Sequence, residues 1–321
     1  MLCTFDAGVE TLLRCTRCER PACPRCLTDA PVGSHCPACV EGLAPDQPLD
    51  ATDLRRLSGS RSAPIDTTGS KRPSWVFWTL VVSFAGAIVL PALTHPILSS
   101  VAARVDAILI VILGALVSVT LHEWGHAVVA FWGGDRSVVA KGYLTLDFRK
   151  YAHPVLSIGL PLFFLLAGGL PLPGGAVWID HAALRNRWWD SAVSAAGPLM
   201  NLGFAVVLMG VVNAGVLDPV PVAASALAFL AWILVVIAIL NLLPVPGLDG
   251  YGVIEPHLPA SVRTAIAPVR QFGILLVLLL AFNTGALLFM YDWALAVTTA
   301  LGVDRNLLAL GYDLANPQLG R

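Results

Sequence analysis

Residues 120–127 read Thr-Leu-His-Glu-Trp-Gly-His-Ala and contain the pattern H-E-x-x-H. On a helix, His122 and His126 are four residues apart and therefore share one face. Two imidazoles on one face can bind a single zinc ion, and Glu123 beside them is a candidate general base. The preceding run, residues 107–121, carries no charge. Because ionisable groups are costly next to such a run, the pattern indicates a metal site and not a chance match.

A later stretch offers the third ligand that a catalytic zinc site needs. Residues 241–250 read Asn-Leu-Leu-Pro-Val-Pro-Gly-Leu-Asp-Gly and include the end of an uncharged run, residues 223–248. The two prolines should break the helix, so Asp249 is predicted to end this second membrane segment near the metal. Taken alone, Asp249 would be a polar residue at a helix end. Paired with H-E-x-x-H, it becomes the candidate ligand.

A third segment, residues 195–201, reads Ala-Ala-Gly-Pro-Leu-Met-Asn and contains the pattern G-P-x-x-N. In this order, the three motifs resemble the site-2 protease family of intramembrane zinc metalloproteases. The resemblance covers residues 75–290 and implies a catalytic zinc below the cytosolic face and cleavage of transmembrane or membrane-near segments. The amides of Asn201 and Asn241 are candidates for binding a strained substrate backbone or an oxyanion. The alternative for both is a hydrogen bond to a neighbouring helix.

The composition agrees with a membrane enzyme. Of 321 residues, 56% are hydrophobic and 13% are charged, whereas a soluble domain has about a quarter charged residues. The net charge of -1 gives no indication of nucleic-acid binding. We predict an all-α polytopic membrane protein with about five transmembrane helices, a re-entrant segment and a small cytosolic β-hairpin. The apolar runs that predict the crossings include residues 75–93, 107–121, 191–216, 223–248 and 271–290.

The basic residues predict the orientation. Lys and Arg precede residue 75, follow His126 and follow Asp249, whereas residues 215–222 have none. The positive-inside rule therefore places the N-terminus and both of these later loops in the cytosol, as expected for a multi-pass protein of a prokaryotic plasma membrane. His126 and Asp249 then lie on the same side of the membrane, as a shared zinc requires.

Two segments after the H-E-x-x-H helix have less regular predictions. Residues 137–148 read as a pair of strands around a glycine. Residues 154–170 are apolar enough to cross, but a crossing would move Asp249 to the wrong side, so a re-entrant segment is predicted. His153 precedes it, and a lone interfacial histidine is more often a packing residue than a ligand. Residues 292–321 read as an amphipathic tail, which a count of crossings places outside.

All seven cysteines lie in residues 1–40, and six of them form C-x-x-C pairs. Such pairs are typical of zinc sites, and the odd count disfavours disulfides. Two four-ligand sites need an eighth ligand, for which Asp6 and His35 are the candidates. The segment resembles a B-box-like cross-brace module, in which one zinc would take the first and third pairs and the other zinc the second and fourth. The resemblance implies the sets Cys3, Asp6, Cys23, Cys26 and Cys15, Cys18, Cys36, Cys39.

The sequence therefore predicts an intramembrane zinc endopeptidase that acts on transmembrane protein substrates within the lipid bilayer. The predicted organisation is a zinc module at residues 1–40, a disordered linker at 41–74, a protease core at 75–291 and a tail at 292–321. We expect one catalytic zinc, two structural zinc ions and a protein partner for the module. The alternatives are a catalytically silent membrane scaffold that presents the module and a membrane hydrolase acting on lipid or a small molecule. Intact Glu123 argues against the scaffold.

Overall fold

The computed structural model divides the chain into two compact units, Met1–Thr67 and Thr68–Arg321. The predicted re-entrant segment, His153 and most of the predicted crossing at 271–290 lie outside the residues that the structure describes. Those residues are 2–6, 9–11, 13–23, 26–29, 34–45, 47–59, 70–94, 101–150, 177–270, 273 and 284–315.

The first unit has little regular structure. It contains an antiparallel pair of short strands, β1 (Thr28–Asp29) and β2 (Ser34–His35), and the helices α1 (Pro37–Val40) and α2 (Ala51–Gly59). Five of the nine residues in its buried hydrophobic cluster are cysteines, and Leu57 of α2 is another member. The structure therefore has a helix within residues 41–74, where the sequence indicated a disordered linker.

The second unit is a helical membrane domain. Within its described residues, four helices are long and apolar enough to cross a membrane, which confirms the predicted all-α polytopic class. The side chain of Asn186 caps the third of them by accepting hydrogen bonds from the N–H groups of the first turn. The four helices are α3 (Trp75–Thr94), α4 (Val101–Gly133), α6 (Arg187–Asn213) and α7 (Pro221–Asn241).

Helix α7 is the centre of this domain. It is apolar on every side, and such a helix is stable only when neighbours surround it. Helices α4 and α6 pack on it, as do α10 (Thr284–Ala300) and α11 (Arg305–Ala315). Gly311 of α11 approaches so closely that a Cβ there would lie 2.0 Å from the carbonyl oxygen of Ser225. Residues 291–315, predicted mainly as a tail, thus complete α10 and add a helix to the core.

The predicted β-hairpin at residues 137–148 is wrong. This stretch forms helix α5 (Ser137–Ala140) followed by the 3-10 turns Tyr143–Thr145 and Phe148–Lys150. Val138 and Val139 are both buried, whereas consecutive strand residues would face opposite sides. Local hydrogen bonds of the i to i−3 and i−4 type replace the ladder that a hairpin would need.

The chain continues from α7 into the shorter helices α8 (Asp249–Ile254) and α9 (Ala260–Arg270). Helix α7 ends at Asn241, and the Pro-rich stretch breaks it as predicted. Asp249, however, begins the new helix α8 and does not end a membrane segment. The chain turns between the two helices, so that the backbone of Gly250, the second residue of α8, lies against the carbonyl of Leu242.

Candidate metal centre and active site

Helices α4 and α6 run antiparallel and meet at every fourth residue. Nδ1 of His126 lies 2.7 Å from the carbonyl oxygen of Val193. One turn further along α6, Gly197 lies against the H-E-x-x-H motif. After another turn of α6, Oδ1 of Asn201 accepts a hydrogen bond from the Ser118 hydroxyl over 2.9 Å. The G-P-x-x-N motif of α6 is thus packed directly against the H-E-x-x-H face of α4.

Close approach of the two helices requires glycine on both. A Cβ at Gly197 would lie 2.3 Å from Nε2 of His126 and 2.6 Å from Nε2 of His122. On the opposite helix, a Cβ at Gly125 would meet the side chain of Met200 at 2.6 Å. Both distances are shorter than nonbonded atoms allow, so each helix exposes bare backbone to its neighbour at the level of the imidazoles.

Asp249 completes a cluster of three potential metal ligands. Its Oδ2 lies 3.3 Å from Nε2 of His122, and its Oδ1 lies 3.5 Å from Nε2 of His126. The two Nε2 atoms are 3.1 Å apart. Ligand atoms at the corners of a tetrahedron around zinc, with bonds of about 2.0–2.1 Å, are about 3.3 Å from each other. The donor set and its spacing therefore fit zinc.

The tautomer of one imidazole is set by its backbone partner. A carbonyl oxygen accepts only, so Nδ1 of His126 must donate its proton to Val193. This leaves the lone pair of Nε2 directed at the ligand cluster, as metal-binding histidines require. Nδ1 of His122 is buried and has no such partner among the described residues. The two histidines are thus oriented by different means.

Glu123 lies beside the cluster and is only 4% exposed. The backbone of Val177, the first described residue after the gap at 151–176, lies near its carboxyl. Sequence reasoning did not find Val177, and no local signal marks it. A backbone group has no side-chain signature, and only the folded chain brings it to Glu123.

Asn201 and Asn241 are both buried. The structure places Asn201 in the interhelical hydrogen bond with Ser118 and Asn241 at the last turn of α7. The alternative interpretation, contact with a neighbouring helix, thus describes the bond that Asn201 makes. Ser118 itself was missed, although it stands one helical turn before His122 on the same face of α4.

The structure also groups the cysteines of the first unit. All seven are free thiols. Backbone N–H groups connect distant cysteines, from Cys36 to the sulfur of Cys15 over 3.2 Å and from Cys23 to the sulfur of Cys3 over 3.1 Å. Asp6 belongs to neither cluster, and neither does His35. The sulfur clusters are Cys15, Cys18, Cys36, Cys39 and Cys3, Cys23, Cys26.

Ionisation of the four-sulfur cluster begins at one thiol. Although burial opposes its ionisation, N–H groups of Cys36, Arg17 and Cys18 lower the pKa of Cys15 to about 6. Burial raises the pKa of Cys36 to about 11. Because zinc binds thiolate and not thiol, Cys15 is the sulfur that is prepared for metal in the absence of an ion.

The helical membrane domain and its His-Glu-His-Asp cluster define a membrane-embedded zinc protease. The chain is 44% identical over 209 residues to the zinc metalloprotease Rip2 of Mycobacterium tuberculosis, covering 64% of this chain and 79% of Rip2. Rip2 of Mycolicibacterium smegmatis is 39% identical over 246 residues, which are 76% of this chain and 94% of the relative. YwhC of Bacillus subtilis, also a zinc metalloprotease by name, is 31% identical over 178 residues, 51% of this chain and 76% of YwhC.

The chain therefore belongs to the site-2 protease family, and it is an intramembrane zinc metalloprotease. No family profile matches the chain, and no solved structure does.

Proposed function

We propose that His122, His126 and Asp249 hold the catalytic zinc of this protease and that Glu123 is its general base. The observation that supports this most directly is the spacing of the three ligand atoms, 3.1 to 3.5 Å, which is that of zinc ligands. Helix α4, which carries both histidines, is itself long and apolar enough to cross the bilayer. A ligand cluster carried by such a helix fits a substrate in the membrane.

Each residue around the cluster has a separate role in peptide hydrolysis. Zinc, when bound, supplies a Lewis acid that polarises the scissile carbonyl and makes water a stronger acid. Glu123 takes a proton from the attacking water and returns it to the leaving amine. The burial of Glu123 excludes bulk water, which strengthens its interactions with charge. Asn201 and Asn241 remain candidates for holding the substrate backbone.

The substrates that this site fits are transmembrane segments of other proteins, and we place the site toward the cytosol. Several cations near the His126 end of α4 contact aromatic rings, as is common at a membrane interface. The Lys71 ammonium lies 4.4 Å from the ring centre of Phe131, and the Arg149 guanidinium lies 5.5 Å from that of Trp75. A reporter that is active only in the cytosol, fused before Met1, checks the orientation; inactivity would contradict it.

The first unit serves as a zinc-stabilised binding module for a protein partner. Its apolar core is small, so metal binding would supply most of its folding free energy. The four-sulfur cluster is complete for a structural zinc, and the three-sulfur cluster provides three ligands of a second. Two structural ions and one catalytic ion give three zinc ions for each chain.

The test of the proposed function compares variants of the full-length protein in native membranes. Glu123→Gln should keep its zinc but accumulate uncleaved membrane substrates, with a rate loss of about a hundredfold or more. Asp249→Ala should lose cleavage together with one zinc, because it removes a ligand. Glu255→Gln, a change of the same chemistry in the turn after α8, is the matched control and should behave as wild type.

Quantitative proteomics of membrane fragments and native mass spectrometry provide the two measurements. A Glu123→Gln protein that still cleaves would overturn the role of the base. An Asp249→Ala protein with its full zinc complement would show that the third ligand lies elsewhere. Cleavage that depends on neither residue would favour a silent scaffold in which the module carries the function.

A further inference from the structure

Ser191, in the second turn of α6, makes hydrogen bonds that join this helix to α8. It is only 8% exposed. Its hydroxyl oxygen lies 2.6 Å from the carbonyl oxygen of Val253, near the end of α8, and 2.9 Å from Nε2 of His257, which follows that helix. Ser191 and Val253 are 62 residues apart in the chain. The hydroxyl therefore connects two separate helices.

The single hydroxyl proton of Ser191 has two carbonyl acceptors within reach. A serine in a helix can bond back to the carbonyl four residues earlier, here that of Arg187, which lies 3.3 Å away. The carbonyl of Val253 is closer, at 2.6 Å, so the proton goes to α8. The oxygen of Ser191 then accepts a hydrogen bond from Nε2 of His257, because a hydroxyl has only one proton to donate. The imidazole is also held by α6, since its ring centre lies 4.4 Å from that of Trp188.

Helix α8 carries the candidate ligand Asp249 only one turn from this bond. The helix has six residues, of which Asp249 is the first and Val253 the fifth. At a rise of about 1.5 Å per residue, the Cα atoms of these two residues are about 6 Å apart along the axis. A helix this short moves as one body. A displacement of Val253 therefore displaces Asp249 as well.

Helix α8 also contacts α6 and the end of α7 through bare backbone. A Cβ at Gly252 would lie 2.5 Å from Oγ of Ser194, and a Cβ at Gly250 would lie 2.2 Å from the carbonyl oxygen of Leu242. Such packing sets how closely α8 approaches its neighbours. A hydrogen bond is directional, so the bond from Ser191 adds the position of α8 along α6.

Asp249 depends on this support more than the two histidines do. Its side chain is 24% exposed, whereas those of His122 and His126 are 11% and 9% exposed. Both histidines lie on the long helix α4, and the carbonyl of Val193 fixes the ring of His126. The place of the Asp249 carboxylate is therefore set mainly by the backbone of α8.

We propose that Ser191 is a positioning residue for the metal centre: its hydroxyl, oriented by His257, holds α8 so that the Asp249 carboxylate meets the imidazoles of α4. The proposal rests on the proposed role of Asp249 as a zinc ligand. Val193, two residues after Ser191, already orients His126. One turn of α6 thus aligns ligands that come from two other helices. Contacts behind metal ligands commonly change metal affinity about ten- to a hundredfold.

A second buried serine provides the matched control. Ser225 is fully buried, and its hydroxyl bonds the carbonyl of Val222 in its own helix over 3.0 Å. It lies in the second turn of α7, far along that helix from Asn241. Ser225→Ala therefore removes a buried hydroxyl from a membrane helix without removing a bond between helices. Ser191→Thr is the conservative variant, because it keeps the hydroxyl that Ser191→Ala removes.

The first readout is the zinc content of the purified full-length protein, measured by native mass spectrometry while a chelator lowers the free zinc. It does not depend on cleavage. The ion of the membrane cluster is the one that Asp249→Ala lacks. In Ser191→Ala this ion should leave at about tenfold higher free zinc than in the wild type, whereas Ser191→Thr and Ser225→Ala should retain it. In the Asp249→Ala background, Ser191→Ala should cause no further loss of zinc.

The second readout is cleavage of a model transmembrane substrate at a series of free zinc concentrations. In Ser191→Ala, the free zinc that gives half of the maximal rate should rise about tenfold, with KM for the substrate unchanged. Ser191→Thr and Ser225→Ala should follow the wild type.

Two results would overturn the proposal. One is a Ser191→Ala protein that holds its zinc as firmly as Ser225→Ala. The other is a further loss of zinc when Ser191→Ala is added to Asp249→Ala, since Ser191 would then support the fold as a whole and not Asp249.

If Ser191→Ala fails to fold, variants of the exposed His257 decide. His257→Leu removes the donor that orients the hydroxyl and leaves the hydroxyl itself. It should weaken zinc retention about threefold, and His257→Gln, which keeps a donor, should restore it. Zinc retention that is the same in His257→Leu and the wild type would count against the proposal.

The proposed function fails separately. If Asp249→Ala keeps the full zinc complement, Asp249 is not a ligand, whatever the Ser191 variants do. If Asp249→Ala loses one zinc and Ser191→Ala behaves as wild type, only the positioning role is lost.

Discussion

The two ligand clusters of this protein are assembled in opposite ways. The cysteine clusters draw all their sulfurs from residues 3–39, mostly as pairs separated by two residues. The membrane cluster joins two residues of α4 to Asp249, the first residue of α8. The first kind is built by tight turns of a short chain. The second kind exists only when separate helices have packed, so its geometry is a property of the helix bundle.

The metal-ligand atoms of the two kinds of cluster differ as well. Four thiolates fill the coordination sphere of zinc and leave no room for a reactant, which suits a structural ion. Two imidazoles and a carboxylate leave a position open, which suits catalysis. Zinc at the cysteine clusters would stabilise a unit with a small apolar core, whereas the membrane cluster is carried by helices that pack extensively on each other. Loss of metal should therefore have unequal consequences in the two regions.

The largest effect is expected when a methyl group is added to Gly197, where α6 contacts α4. Gly197→Ala would place a Cβ 2.3 Å from Nε2 of His126, so α6 must move away from α4 or the imidazole must leave the cluster. We expect cleavage to fall about a hundredfold, with loss of one of the bound zinc ions. Native mass spectrometry and a cleavage assay measure both.

Gly203 lies on the same helix, and a Cβ there would meet nothing within 4 Å. Gly203→Ala therefore controls for the change in helix propensity, and it should retain zinc and activity. Equal behaviour of the two alanine variants would show that the membrane cluster tolerates displacement of α6, and the contrast with the local cysteine clusters would disappear.

A smaller effect on cleavage is expected from the other cluster. Cys39→Ser removes one ligand of the four-sulfur set, so the chain should lose one zinc and residues 1–59 should become sensitive to protease. Cleavage by the membrane domain should change by no more than about twofold, because the two units are separately compact.

Asp6→Ala is the control for this variant, since Asp6 lies outside both sulfur clusters. It should keep the zinc complement of the wild type. A zinc loss on Asp6→Ala equal to that of Cys39→Ser would instead make Asp6 the missing ligand of the three-sulfur cluster. Strong loss of cleavage on Cys39→Ser would mean that the module and the protease are not independent.

The sequence predicted what depends on spacing along one element. His122 and His126 share a face of any helix that contains them. The long apolar runs indicate membrane helices by their length alone. The grouping of the cysteines came from a resemblance to a known module, and the structure reproduces that grouping except for Asp6.

What the sequence did not predict depends on packing between distant residues. Residues 137–148 alternate enough to suggest strands, but burial of both Val138 and Val139 against α4 selects a helix. The need for glycine at 197 comes from imidazoles on another helix. The approach of the Val177 backbone to the Glu123 side chain joins residues that are far apart in the sequence. None of these has a local pattern.

The burial of α7 has a consequence for biosynthesis. Phe229 of α7 contacts the ring of Tyr312, and Ser225 lies against Gly311, so helix α11 covers one side of α7. A growing chain emerges from the ribosome in order, and α7 is complete well before α11 has been made. During that interval this side of α7 faces lipid or the insertion machinery. The helix that leads to Asp249 is therefore enclosed on this side only after α11 has been synthesised.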